Sequence, residues 1–268
     1  MKQVGLWSMQ FRGAARPQVR DAVAELEELG WDTLWMPGLD GAGALDDVTQ
    51  LAEAAPRSTI VTGVLNIWGQ TPQELSKRLA PYSDRIRLGL GVGSRPGDPF
   101  AAMNDYLDEL DRPAWVLGAL GPKMVDLAVA RTSGWHPFLV TPAYVARERA
   151  RVGAGPVIAP HQAVVLGGSR DEARAAARAE IGMFIGFPAY RNNLRRLGYT
   201  DDDLVPGGSD RLIEDLVTHG TADDIAHRVK AHLDAGADHV ALHVLGSSSL
   251  PLAQWRELAS LASIEKEN

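Results

Sequence analysis

The sequence predicts an α/β chain closed into a (β/α)8 barrel, the TIM-barrel architecture, with a helical insertion between strands seven and eight. Three observations predict it. Short apolar, β-branched runs alternate with segments of helical period, strand–helix–strand within about 35 residues, and such crossovers build parallel sheets. Eight such strands can be found along the 268 residues, close to the roughly 250 typical of a barrel. Between the seventh and eighth the alternation breaks into consecutive helical stretches. An open doubly wound sheet accommodates part of this pattern, but eight units fit closure better, and the whole chain, 1–268, reads as one domain.

The elements follow in order. Val4–Met9 is short, apolar and bounded by polar residues, hence a strand. Pro17 stands where a helix starts. Val19, Ala22, Val23, Leu26 and Leu29 recur at spacings of three and four, and Gly30 ends the run. Thr33–Met36 is the second strand and Ile60–Asn66 the third. A helix from Thr71-Pro72 carries Leu75 and Leu79 on one face. Ile86–Val92 is the fourth strand, and its helix follows Pro99. Trp115–Ala119 is the fifth strand, with a helix on Val125, Leu127, Ala128 and Val129. Trp135–Val140 is the sixth, followed by a helix from Thr141-Pro142, and His161–Leu166 is the seventh. Asp171–Phe184, Tyr190–Leu197 and Asp210–Val217 then read as helices with no strand between them. Asp223–Ala235 is a further helix, His239–Val244 the last strand, and Leu252–Leu261 the closing helix.

Composition removes several function classes. The chain has no cysteine, so disulfides, thiol nucleophiles, thiolate zinc and iron–sulfur clusters are excluded. The net charge of −7 argues against a nucleic-acid partner, whose affinity comes from basic residues meeting phosphates. No run reaches the roughly 18 apolar residues of a membrane span. The opening residues show no secretory signal, so a cytoplasmic location is expected. The seven histidines include no His-Glu-x-x-His spacing, and the strand ends hold few carboxylates, so neither a metal site nor paired-carboxylate hydrolysis has support.

In such barrels the active site is built from the loops after the strands. Here those loops offer glycine and backbone. Gly91-Val92-Gly93-Ser94 and Ala119-Leu120-Gly121-Pro122 each end a strand and precede a helix, so a flat ring or a phosphate can approach the main chain and the helix N-terminus. Either loop can equally be plain turn chemistry. Trp7, Trp35, Trp115 and Trp135 fall in or beside strands and read as core; Trp68 stands beyond a strand end and is the exception. His136 and His243 come late on strands and are candidates for proton handling, although a histidine bonded within the barrel is the default. Lys123 reads as solvated. The basic run Arg191–Arg196 reads as an exposed helix face or a grip on an anionic tail.

Six segments carry a resemblance: Glu25–Trp35 (ELEELGWDTLW), Thr62–Trp68 (TGVLNIW), Arg87–Gly93 (RLGLGVG), Ala119–Met124 (ALGPKM), Tyr190–Gly198 (YRNNLRRLG) and Ala235–Val240 (AGADHV). In this order, over nearly the whole chain, they resemble the bacterial luciferase-like monooxygenase family, and within it the F420-dependent oxidoreductases. The resemblance implies a usually dimeric barrel with an insertion before its last strand and a flavin-type ring across its mouth. It implies a bulge with a non-proline cis peptide on strand three, mapping to Gly63-Val64, that backs the ring together with Asn66. It also implies that the loop of Ala119, Leu120, Gly121 and Pro122 is the segment whose free backbone N–H groups hold the cofactor phosphate. On that reading Gly93 and Ser94 line the site and His243 or His136 handles a proton. Coenzyme F420 is the expected cofactor, with FMN the alternative, and a small molecule is the substrate. Where many relatives carry an acid or histidine after strand two, this chain has Gly38-Leu39; where others carry glutamate after strand four, it has Arg95-Pro96. A cofactor-binding barrel without turnover is therefore a third reading.

Overall fold

The computed structural model describes residues 2–38, 43–93, 95 and 97–264. Its strands are β1 (Val4–Trp7), β2 (Thr33–Gly38), β3 (Thr59–Asn66), β4 (Ile86–Arg87), β5 (Gly89–Gly91), β6 (Val116–Gly118), β7 (Gly134–His136), β8 (Val157–Ile158), β9 (His161–Leu166), β10 (Val217–Gly220) and β11 (Val240–Val244). All pairings are parallel, in the order β10-β9-β11-β1-β2-β3-β5-β6-β7-β8, with β4 beside β3.

This path closes. β4 with β5 is one stave of the barrel, and β8 with β9 is another. The seventh stave pairs with β7 at Val157 and Ile158 and with β11 from His161 to Val164. Pro160 interrupts it because proline offers no N–H. The ladder still continues across the break, through Ala159 N–H to the Trp135 carbonyl (3.0 Å), His161 N–H to the Pro137 carbonyl (3.0 Å) and Ala241 N–H to the Pro160 carbonyl (2.9 Å). The fold is an eight-stave (β/α)8 barrel with a helical insertion after the seventh stave.

The helices wrap the outside, apolar faces inward. In Arg16–Glu28, Val19, Ala22, Val23 and Leu26 are buried, and Gly30, at φ +90°, ends the run. Helices Thr141-capped Pro142–Val152 and Thr221-capped Ala222–Asp234 begin on the side-chain caps that a hydroxyl at that position supplies.

The insertion corrects one expectation. Asp210–Val217 does not end as helix: helix stops at Leu216 and β10 follows, pairing with the upper part of β9 from Val217 opposite Ala163 to Gly220 opposite Leu166. The seventh stave outruns β7, leaving an unpaired edge above it, and β10 covers that edge. The sixth strand is also shorter than Trp135–Val140, ending at His136 before Pro137. No helix among the described residues is long and apolar enough to cross a membrane.

Candidate active site at the barrel mouth

The third stave carries one extra residue on both of its edges. Met36 stands opposite Thr62 but Gly38 opposite Leu65; Val61 stands opposite Arg87 but Leu65 opposite Leu90. The surplus is a bulge at Gly63-Val64, a device that re-aims side chains at barrel rims. The Gly63-Val64 peptide is cis. Thr62 repairs the broken ladder: its hydroxyl donates to the Gly89 carbonyl (2.8 Å) and accepts from the Gly89 N–H (2.7 Å). The Trp7 indole N–H donates to the Gly63 carbonyl at 2.9 Å. A Cβ at Gly63 would lie 2.8 Å from Trp35 Cε3 and 3.0 Å from Trp7 Nε1, so the two indoles pack on bare backbone.

The bulge sends Val64 over the next two staves. A Cβ at Gly91 would lie 2.6 Å from Val64 Cγ2, and one at Gly118 3.1 Å from it. Two missing side chains therefore leave a shelf of backbone with Val64 upon it. Asn66 and Gly93 also meet, since a Cβ on Gly93 would lie 2.7 Å from Asn66 Nδ2. Beyond them the Trp68 indole N–H donates to the Val92 carbonyl (2.7 Å) while the Arg95 guanidinium lies 5.2 Å over its ring. Ser94, expected at this rim, lies outside the described residues.

The two glycine-bearing loops differ at their helices. After the fourth stave, Asp98 caps helix Pro99–Asp108, its carboxylate accepting from Phe100 N–H (2.9 Å) and Ala101 N–H (3.3 Å). After the fifth, helix Pro122–Arg131 starts from Gly121 with no side-chain cap. A cation from the insertion stands beside it. Arg196 donates to the Leu120 carbonyl (3.3 Å) and to Asn193 Oδ1 (3.4 Å), and its Nη2 lies 3.9 Å from where a Gly121 Cβ would be. Arg191 is held by the Leu204 carbonyl and Arg195 by Asp201. Arg196 has no carboxylate partner among the described residues. Lys123 is exposed at the same helix start. An open helix N-terminus with a guanidinium at its edge presents free N–H groups and positive charge, which favour a negatively charged group.

The barrel interior is aromatic and imidazole. His136 stacks on Trp35 at 4.5 Å and its Nδ1–H donates to the Ala159 carbonyl (2.6 Å). His239, nearer the strand starts, donates from Nδ1 to the Lys2 carbonyl (2.7 Å) and accepts the Trp35 indole N–H at Nε2 (2.9 Å). Toward the mouth, His243 lies 4.3 Å from Trp7, and its Nδ1 shares a 3.0 Å hydrogen bond with Nε2 of His161, on which Phe138 stacks at 3.7 Å. Burial, which penalises the cation, holds His136 and His239 down at about 4 and His243 at about 3, and holds His161 well below the ordinary histidine value with His243 adding to it. All four rings are therefore neutral at pH 7.

The expected residues thus gather on three sides of one mouth: Gly63, Val64, Asn66 and Gly93 on one wall, Ala119–Pro122 on another, and His243 in the floor. His136 is set deeper, against Trp35. Sequence reasoning missed His161, Trp7 and the placement of Arg196. The only sequence signal for them was position: a histidine opening strand seven, an indole closing strand one, and the last basic residue of the insertion helix. A groove of about 520 Å³ lies elsewhere, between helices Arg16–Glu28 and Ala44–Ala54, and takes no residue from the strands.

Solved structures share this fold. An F420-dependent secondary alcohol dehydrogenase in complex with an F420–acetone adduct superposes with a TM-score of 0.73 at 14% identity, over 97% of this chain and 98% of that one. The coenzyme F420-dependent tetrahydromethanopterin reductase of Methanopyrus kandleri gives 0.71 at 16% identity, over 98% of each chain. The oxygenating constituent of 3,6-diketocamphane monooxygenase from Pseudomonas putida, with FMN, gives 0.69 at 11% identity, over 98% and 97%. No family profile and no curated protein matches the sequence.

Proposed function

We propose that this chain is an oxidoreductase that transfers a hydride between coenzyme F420 and a small organic substrate at the barrel mouth. The observation that carries the reading is the uncapped start of helix Pro122–Arg131 with Arg196 beside it, two staves along the rim from a bulge whose neighbouring staves are bare glycine backbone. Such a pair suits a ligand with a phosphate at one end and a planar ring at the other. The residues fit the group: Ala119–Pro122 and Arg196 hold its phosphate, Gly63, Val64 and Asn66 back the ring, and Gly93 lines the edge. A bound deazaflavin supplies the hydride chemistry.

The chain's own part is orientation, exclusion of water and one proton. Trp7, Val64 and Phe138 keep the floor apolar. His243 is neutral, so its Nε2 serves as a hydrogen-bond donor or acceptor rather than a fixed cation; His136 is second choice because Trp35 covers it. The overlap with an F420-dependent dehydrogenase and reductase supports F420. The overlap with an FMN-bound oxygenase supports FMN as the alternative. We further propose a homodimer, which sedimentation reads directly.

The test is parallel absorbance titration with F420 and FMN, followed by anaerobic turnover of bound F420 with a panel of alcohols. Saturable F420 binding and its reduction support the reading. A yellow protein retaining FMN moves it to the alternative, and tight F420 binding without turnover of any substrate, hydride donor or acceptor, makes the chain a carrier.

A further inference from the structure

The buried histidines differ in one respect. Three are locked in a single tautomer by a group that can only accept. The Ala159 carbonyl fixes the proton of His136 on Nδ1, and the Lys2 carbonyl does so for His239, whose Nε2 also accepts from Trp35. His232 is fixed with its proton on Nε2 by Gln162 Oε1, and the Gln162 amide is itself oriented by donating to the Ala163 and Leu216 carbonyls. Among the described residues His161 and His243 bond only to each other, and their outer nitrogens, His161 Nδ1 and His243 Nε2, are buried with no partner there.

We propose that His161 and His243 form a two-state proton relay that loads and unloads Nε2 of His243 at the floor of the mouth. Two neutral imidazoles joined by one hydrogen bond carry two ring protons. One lies in the bond, so the other must sit on one outer nitrogen, and nothing in the structure chooses which. When His243 Nε2–H gives up its proton, the shared proton passes from His161 Nε2 to His243 Nδ1, and His161 Nδ1, buried in this structure, takes one from a water that enters the barrel to reach it. Both rings end neutral, with one proton in at one end and one out at the other. A redox cycle that takes a proton in one half and returns it in the other resets the pair. His161 is on this account a positioning residue acting through His243. The use of the relay rests on the function proposed above; its existence does not.

The test is nitrogen NMR of the full chain labelled with ¹⁵N-histidine, free of coenzyme at pH 7. His136, His232 and His239 should each show one protonated and one bare ring nitrogen. His161 and His243 should show intermediate shifts on both nitrogens, as averaged tautomers do. Fixed single tautomers on the pair would overturn the relay. His161→Phe, which keeps the stack with Phe138, should then leave F420 affinity unchanged, lower kcat about tenfold or more, and raise the solvent isotope effect. Unchanged kcat in a variant that binds F420 would overturn the relay's role in catalysis. Failure of the wild type to bind either coenzyme would overturn the function instead, while the NMR result stands on its own.

Discussion

Two loops of this barrel look alike in sequence and differ in what they can hold. Gly91–Gly93 and Ala119–Pro122 both end a stave in small residues and both lead into a helix with proline in its first turn. After the fourth stave, Asp98 fills the helix start with a carboxylate. After the fifth, Gly121 leaves it open, and Arg196, 76 residues along the chain from Leu120, arrives beside it. Glycine gives access; the cap and the imported cation decide which ligand is admitted.

Acid should have the largest effect and should not distinguish the loops, because both rest on the same histidine-lined floor. Each buried ring with a folded-state value near 4 or 3 binds fewer protons in the fold than when unfolded. Stability is therefore complete above the ordinary histidine value of 6.5 and is lost as pH falls toward 4, by up to about 3 kcal/mol per ring. Hydrogen exchange at pH 5 should show both loops opening with the barrel; separate opening of one would break the comparison.

Gly121→Asp comes next. Gly121 has extended backbone that aspartate adopts freely, and the nearest group to its Cβ is Arg196. The variant makes the second loop like the first, so F420 affinity should fall about 100-fold while Tm holds or rises, as a new cap adds about 1 kcal/mol. Arg196→Ala should weaken binding about tenfold and flatten its salt dependence, from loss of one charge-assisted hydrogen bond. The smallest effect belongs to Asp98→Ala: about 1 kcal/mol of stability from the lost cap, with coenzyme affinity unchanged in the same titration.

The barrel was legible because its signals are local. The helix over Val19–Leu26, the turn at Gly30 and the β-branched run Ile60–Asn66 each declare themselves within one element. β10 was not legible: Val217–Gly220 is a strand because the seventh stave outruns its neighbour, which is a tertiary fact. The bulge at Gly63-Val64 came from resemblance, since periodicity alone shows one unbroken strand there. Arg196 could not be assigned from sequence, because Arg191, Arg195 and Arg196 are equivalent until the fold ties two of them to Leu204 and Asp201. The histidine pair was hidden for the same reason: His161 and His243 are 82 positions apart and meet only through closure.

The most direct measurement is the position of the coenzyme phosphate in a crystal of the bound protein. The account places it about 3 Å from the Arg196 guanidinium, over the start of helix Pro122–Arg131. A phosphate found instead at Gly93 and the Asp98-capped helix would contradict it.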